Sequence, residues 1–329
     1  LYAQLDLGEI YAPLKGLRYR FNFGPDFRYY RNGTFRNEES ISSEGKNRAS
    51  LSNQSDFSWT LDNLIYYDKE FGKHSVGLTL LQSATGYHYE ESSMAAEGIP
   101  LESAKWNALS KENVSLLDEW NSGLIEKQLL SYMFRVNYDY NNKYLLTVSG
   151  RWDGASQLAE GNKWAFFPSA ALGWRLDQEE FLKDVTWLNQ LKFRLGVGVT
   201  GNSAIDPYQT KGAIVSLYYP FGSALAPGYA ASEPLIKDGA VAMANKNLSW
   251  EKTTQYNIGL DYSVLNGRIS GVLDFYTSRT TDLLMAMTIP SLNGYTNTYA
   301  NVGKTSNIGV DITSVSYTHL RAHETGRNL

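Results

Sequence analysis

The chain has 329 residues, enough for one large domain or two ordinary ones, and a net charge of −4 that gives no reason to expect nucleic acid. It contains no cysteine, which excludes a disulfide framework and a thiolate metal site. Mean hydropathy is −0.36 and no apolar run approaches the roughly 20 residues of a membrane helix, but neither observation excludes a barrel, whose strands show lipid only every second residue.

Period-two alternation predicts eleven strands. They lie near Leu1–Ala12, Lys15–Tyr30, Ser55–Asp68, Lys73–Tyr89, Lys127–Asn141, Lys143–Ala155, Lys163–Asp177, Gln190–Thr200, Trp250–Leu265, Gly267–Leu283 and Thr298–Ser314. In the fifth, Tyr132, Phe134, Val136, Tyr138 and Tyr140 oppose Met133, Arg135, Asn137 and Asp139. In the second, Leu17, Tyr19, Phe21 and Phe23 oppose Arg18, Arg20 and Asn22. One apolar, tyrosine-rich face per strand suggests an all-β, antiparallel transmembrane β-barrel with its outside in lipid.

The connections alternate in length. Pro13-Leu14, Lys69–Gly72, Asn141-Asn142 and Asn266-Gly267 read as tight turns, whereas Arg31–Gln54, Glu90–Glu126 and Gly201–Ser249 are long and polar. That is the asymmetry of periplasmic turns and extracellular loops. Tyr66, Tyr67, Phe71, Tyr138, Tyr140, Tyr144 and Tyr262 flank the short turns, as interfacial aromatics do. Leu1-Tyr2-Ala3-Gln4 already reads as strand, so the chain is expected to begin inside a longer protein.

Catalytic and metal constellations do not assemble. His319 and His323 precede Glu324 in the wrong order for a zinc helix, and Gly303-Lys304-Thr305 lacks the glycine cradle of a phosphate loop. His74 and His88 read as surface residues, with His88 able to pair with Glu90. Glu179-Glu180 reads as solvated turn charge. No enzyme activity, cofactor or metal is expected. The polar row Arg135, Asn137 and Asp139, continued by Arg151 and Asp153, must face a lumen or a plug, because charge on a barrel wall avoids lipid. The long segments carry Trp106, Trp120, Tyr218 and Tyr219, whose rings can stack on sugars or pack loop on loop.

Several stretches resemble the SusC/RagA group of TonB-dependent outer-membrane transporters of Bacteroidetes. Arg151-Trp152-Asp153-Gly154-Ala155-Ser156 is similar to that group's R-x-D-G-[SA]-S strand end. Trp164–Trp174 is similar to its W-[GA]-x-F-P-S segment, Leu191–Asn202 to its L-K-x-R strand ending T-G-N, and Asn247–Leu283 to its L-x-W-E-x-T stretch and hairpin. Asn301-Val302-Gly303 followed by Asn307-Ile308-Gly309-Val310-Asp311 is similar to a further family pattern. The resemblance spans about residues 129–312 and implies a wall of about eleven strands from a larger, 22-stranded plugged barrel in a Gram-negative outer membrane. It also implies TonB-energised import of an oligosaccharide or peptide with a SusD-like surface lipoprotein as lid, the TonB complex acting through an N-terminal region not present here. The alternatives are a passive porin-type channel and, further off, an outer-membrane barrel enzyme. Val315–Thr325 resembles the translation of a transposon-derived sequencing adapter, so 1–314 is expected to be barrel and 315–329 a non-native tail.

Overall fold

Sixteen strands form in the computed structural model, which describes residues 1–110, 116–211, 215–221, 224–230, 242–290, 292, 295 and 297–316; side chains are described outside 116–119, 215–230 and 242. Eleven make one antiparallel sheet: β1 (Tyr2–Asp6), β2 (Leu17–Arg36), β3 (Arg48–Phe71), β4 (His74–Glu97), β5 (Leu116–Tyr140), β6 (Tyr144–Ala155), β7 (Trp164–Arg175), β8 (Leu188–Asn202), β12 (Glu251–Val264), β13 (Ile269–Thr281) and β16 (Lys304–Ser316). Between β8 and β12 lie β9 (Val215–Phe221), β10 (Ala224–Ala230) and β11 (Ala242–Met243). Strands β14 (Leu284–Thr288) and β15 (Asn297–Asn301) lie between β13 and β16. Each sheet strand pairs with its chain neighbour in that series, and β1 and β16 stand at the two edges. The sheet is thus open among the described residues: a partial barrel.

The connections sort by parity into two ends, although 176–187 at the short end is longer than 156–163 at the other. Residues 7–16, 72–73, 141–143, 176–187 and 265–268 join strands at one end, and 37–47, 98–115, 156–163, 203–250 and 282–303 at the other. The first expected strand is short, because Asp6 accepts a hydrogen bond from Gly8 N at 3.0 Å and caps the helical turn α1 (Leu7–Ile10). The long polar segments are less loop than expected. Strands β2 and β3 pair out to Arg36 and Arg48, and β4 and β5 to Glu97 and Leu116, so these hairpins rise well past the apolar band. The last expected strand is two, split at Gly303, whose φ of +89° suits glycine. Pairing continues through Val315 and Ser316, opposite Ser270 and Ile269, beyond the expected boundary at Ser314; His319, His323 and the rest of that tail lie outside the described residues.

Register aligns the outer aromatics into two rungs. At the short-turn end Phe71, His74, Tyr140, Tyr144 and Trp174 follow one another across five strands, with successive ring centroids 4.9–6.4 Å apart. The upper rung places Tyr132, Trp152 and Phe166 side by side, with Trp164 stacked on Tyr132 at 6.2 Å. On β5, β6 and β7 the two rungs are eight residues apart, about 27 Å of strand at 3.4 Å per residue. At a tilt of 35–45° this rises about 19–22 Å, most of the roughly 25 Å apolar band of an outer-membrane barrel. Halfway between them Leu78, Val136, Val148 and Ala170 form a central rung. Tyr66 is no girdle residue: it sits on the inner face, with the Arg18 guanidinium 5.5 Å over its ring.

Candidate functional site: inner wall and rim

The polar positions share the face opposite the rungs. At its upper end Arg151 Nε donates to both Asp153 oxygens at 2.7 and 2.9 Å, and Arg151 Nη2 donates to Ser131 Oγ at 2.8 Å. Asp153 is buried, so this pair is committed to the wall. At the lower end Asp139 Oδ1 accepts from Asn142 N at 2.7 Å and holds the turn in which Asn141 and Asn142 both adopt φ +55°. Asn137 accepts from Thr147 at 3.0 Å. Arg135 is exposed and makes no ion pair among the described residues. Of the five predicted lumen residues, all on the face opposite the rungs, Arg135 makes no ion pair among the described residues, Asn137 bonds Thr147, and Arg151, Asp153 and Asp139 hold the wall itself.

A stronger cluster lies on β8, β12 and β13. Arg194 reaches Asp261 at 2.8 Å and Asp274 at 3.1 Å. The guanidinium spans two neighbouring strands because Gly259, opposite Arg194, leaves it room: a Cβ there would lie 2.7 Å from Arg194 Cζ. Alternation had marked Arg194 as polar-facing, but its partners depend on register. Beside it a cavity of about 480 Å³ has a floor of small residues, with Asp68 and Asp139 on one flank and Lys192 and Arg194 on the other. Asp68 also pairs with Arg18.

The rim at the long-connection end has the largest buried cluster: Ala155, Leu158, Ala165, Phe167, Ile205, Leu248 and Trp250. Phe167 and Trp250 meet edge to face at 5.2 Å, and Trp250 Nε1 donates to Lys163 O at 2.8 Å. Gly201 gives Phe167 its space; a Cβ there would fall 2.1 Å from the ring. Asn301 and Ser249 exchange two hydrogen bonds at 2.8 Å, and Glu251 accepts from Leu284 N at 3.1 Å. The motif stretches around Asp153, Phe167, Gly201, Trp250 and Asn301, far apart in sequence, therefore converge on one packed rim that anchors the connections above it. Next to it a polar cavity of about 1040 Å³ is lined by Lys127, Lys163, Lys211, Lys246 and Tyr208.

The four predicted loop aromatics separate. Trp106, half-buried in a short turn at Glu102–Asn107, lies against Gly33 of β2, where a Cβ would meet its ring at 2.4 Å. Trp120 stands on the raised part of β5 opposite Met94, 78% exposed, not on a loop. Tyr218 and Tyr219 belong to β9, paired with Pro227 and Ala226 of β10; their side chains lie outside the described residues. His88 does pair with Glu90, at 3.1 Å, and also with Glu126 at 2.9 Å.

Glu179 is not a solvated turn charge. It accepts from Lys143 Nζ at 2.6 Å, Tyr144 Oη at 2.8 Å and Trp174 Nε1 at 2.9 Å, clamping the 176–187 connection to the lower girdle. The Lys143 ammonium first, then the Tyr144 hydroxyl, holds its carboxyl down to about 2. A depressed folded-state value stabilises the clamp above the ordinary carboxylate range and loses that contribution as pH falls from about 4.5 towards 2. Amide protection at Val185 and Leu188 is expected to fall through that window in the full-length receptor and to lose this acid dependence in Glu179→Gln. An unchanged acid profile in the variant would contradict the clamp.

Comparison with known proteins bears on the whole wall. A family model described as TonB dependent receptor-like, beta-barrel, matches residues 4–327. The chain is 33% identical over 319 residues to a TonB-dependent receptor of Formosa agariphila, covering 94% of this chain and 31% of that protein. It is 34% identical over 314 residues to the TonB-dependent receptor SusC of Bacteroides thetaiotaomicron, covering 89% and 29%. Among solved structures, the RagAB peptide importer in its "closed-closed" state aligns with a TM-score of 0.79 at 25% identity, over 95% of this chain and 33% of that one. The chain spans about a third of the length of the curated relatives it matches.

Proposed function

Because the chain belongs to the TonB-dependent receptor-like β-barrel family and forms an outer-membrane barrel wall, we propose that this wall serves the energised import of an oligosaccharide or a peptide. In this reading the complete barrel has about 22 strands and a plug. A SusD-like lipoprotein closes over the rim, and the TonB complex acts on an N-terminal region. The observation that carries it is the division of the wall: an apolar outer band between two aromatic rungs, an ion-paired inner face, and a packed rim that fixes the bases of three connections, 156–163, 203–250 and 282–303. In this reading Arg135, Asn137 and Lys192 are inner groups available to a plug or a passing solute. Trp120, 78% exposed on the raised hairpin, is the ring offered to a lid or substrate in this reading, whereas Trp106 packs against Gly33 of β2.

Uptake of a labelled oligosaccharide or peptide mixture by cells carrying the full-length receptor tests this reading. Uptake should vanish on deletion of the receptor and equally on depletion of TonB. Uptake that survives TonB depletion would instead make the barrel a passive channel.

A further inference from the structure

The outer wall is not uniformly apolar. At the upper rung the aromatic row stops at β5: beyond Tyr132 come Gln82 on β4 and Asn63 on β3. The two carboxamides are linked, Tyr19 Oη donating to Asn63 Oδ1 and Asn63 Nδ2 to Gln82 Oε1, each at 2.6 Å. Both groups of Asn63 are thereby used. Gln82 Nε2 keeps two donors without a protein acceptor among the described residues.

One pair lower, Ile65, Leu80, Phe134 and Gly150 lie side by side. Gly150 leaves a dent over which the rings of Phe134 and Phe166 close to 2.6–2.7 Å of where a Cβ would be. The result is a groove of about 410 Å³, walled by Leu80, Phe134, Trp152 and Phe166 and ending at Gln82. That volume is within the range of small-ligand sites, about 300–1,000 Å³. Its four walls are 39–55% exposed, so no group among the described residues covers them.

We propose that this groove binds one acyl chain of an outer-leaflet glycolipid, the chain lying along Leu80, Phe134 and Phe166 and its ester or amide carbonyl accepting from Gln82 Nε2. Three observations combine. The groove belongs to the lipid-facing band, so its occupant comes from the bilayer. It lies directly below the rung nearest the long connections, which places it in the outer leaflet, where the glycolipids of this membrane reside. Its polar end is a donor at the depth of the interface, where acyl carbonyls sit. Above it the same face carries Glu90 and Glu126 around His88. The element recognised is therefore a carbonyl with its chain and not a headgroup phosphate.

The test uses the full-length receptor in vesicles containing an acylated glucosamine lipid with a photoreactive group on its chain. Cross-links read by mass spectrometry should be several-fold more frequent at Leu80, Phe134 and Phe166 than at Leu172 and Val197, which face the same band with comparable exposure. Gln82→Leu removes the donor and should lower groove labelling to the level of the band. Gly150→Leu fills the dent and should do the same; Gln82→Leu decides the matter if that variant does not fold. Uniform labelling along the band, or labelling indifferent to Gln82→Leu, would reduce the groove to ordinary annular contact. Equal labelling by a photoreactive phosphatidylethanolamine would overturn the choice of lipid.

Discussion

Arginine at Val136 is expected to cost the folded barrel about 2–4 kcal/mol, and arginine at Asn137 far less, by the depth scale for charge on barrel walls. The two positions are adjacent, so chain propensity is nearly the same for both. What differs is the face. Val136 lies on the central rung, four residues from Tyr132 and four from Tyr140, with Leu78 and Val148 on either side. A charge there has no water within reach and no countercharge. Asn137 faces the inner wall beside Thr147, where polar groups are already accommodated. A refolding titration of the full-length receptor in bilayers measures both. Equal costs would mean that the face assignment is wrong, and with it the assignment of Arg135.

The second large effect is at the rim. Trp250→Ala is expected to cost about 3–5 kcal/mol, the range for removing a large buried aromatic. Trp250 is 5% exposed, seats its ring edge to face on Phe167 and donates to Lys163 O. The damage should be local, because the rim cluster is bounded by the band below. Hydrogen exchange should accelerate around Ile205, Leu248 and Trp250, while the lower girdle around Tyr144 keeps its protection. Trp250→Phe retains most of the packing and removes one of the two donors to the Lys163 carbonyl, which keeps Ala155 N at 3.1 Å, a loss of at most about 1 kcal/mol. Protection lost evenly along β6, β7 and β8 would show that the rim is not a separate packed unit.

The faces of the strands were legible because lipid on one side and water on the other impose period two. Phe134 and Arg135 could be assigned from their neighbours alone. Long-range partners were not legible. Arg194 finds Asp261 and Asp274 at sequence separations of 67 and 80, and only register brings them together. Glu179 looked like free charge because its three donors come from β6, β7 and the turn between β5 and β6. The raised hairpins were misread for another reason. Above the upper rung both faces of β4 and β5 meet water, alternation no longer follows from solvent, and Trp120 appeared to be on a loop. The motifs that carried the family resemblance lie at the packed rim, so they report how the connections are anchored and carry little information about cargo.

The spacing of the two girdles also limits how such a sequence can change length. Eight is an even number. Between Val136 and Tyr140 a single inserted residue would turn everything beyond it inside out, sending Tyr132 and Phe134 into the lumen and Met133 and Arg135 into lipid. Two inserted residues would restore the faces but lift one girdle about 7 Å out of line with Trp152 and Phe166. Indels inside the band are therefore penalised at every count, odd or even. Above the upper rung neither penalty applies, and the hairpins of β2–β3 and β4–β5 can lengthen or shorten without disturbing what the membrane measures. Diversification of such a wall is confined to one side of the bilayer by arithmetic, before any selection for a particular cargo acts on it.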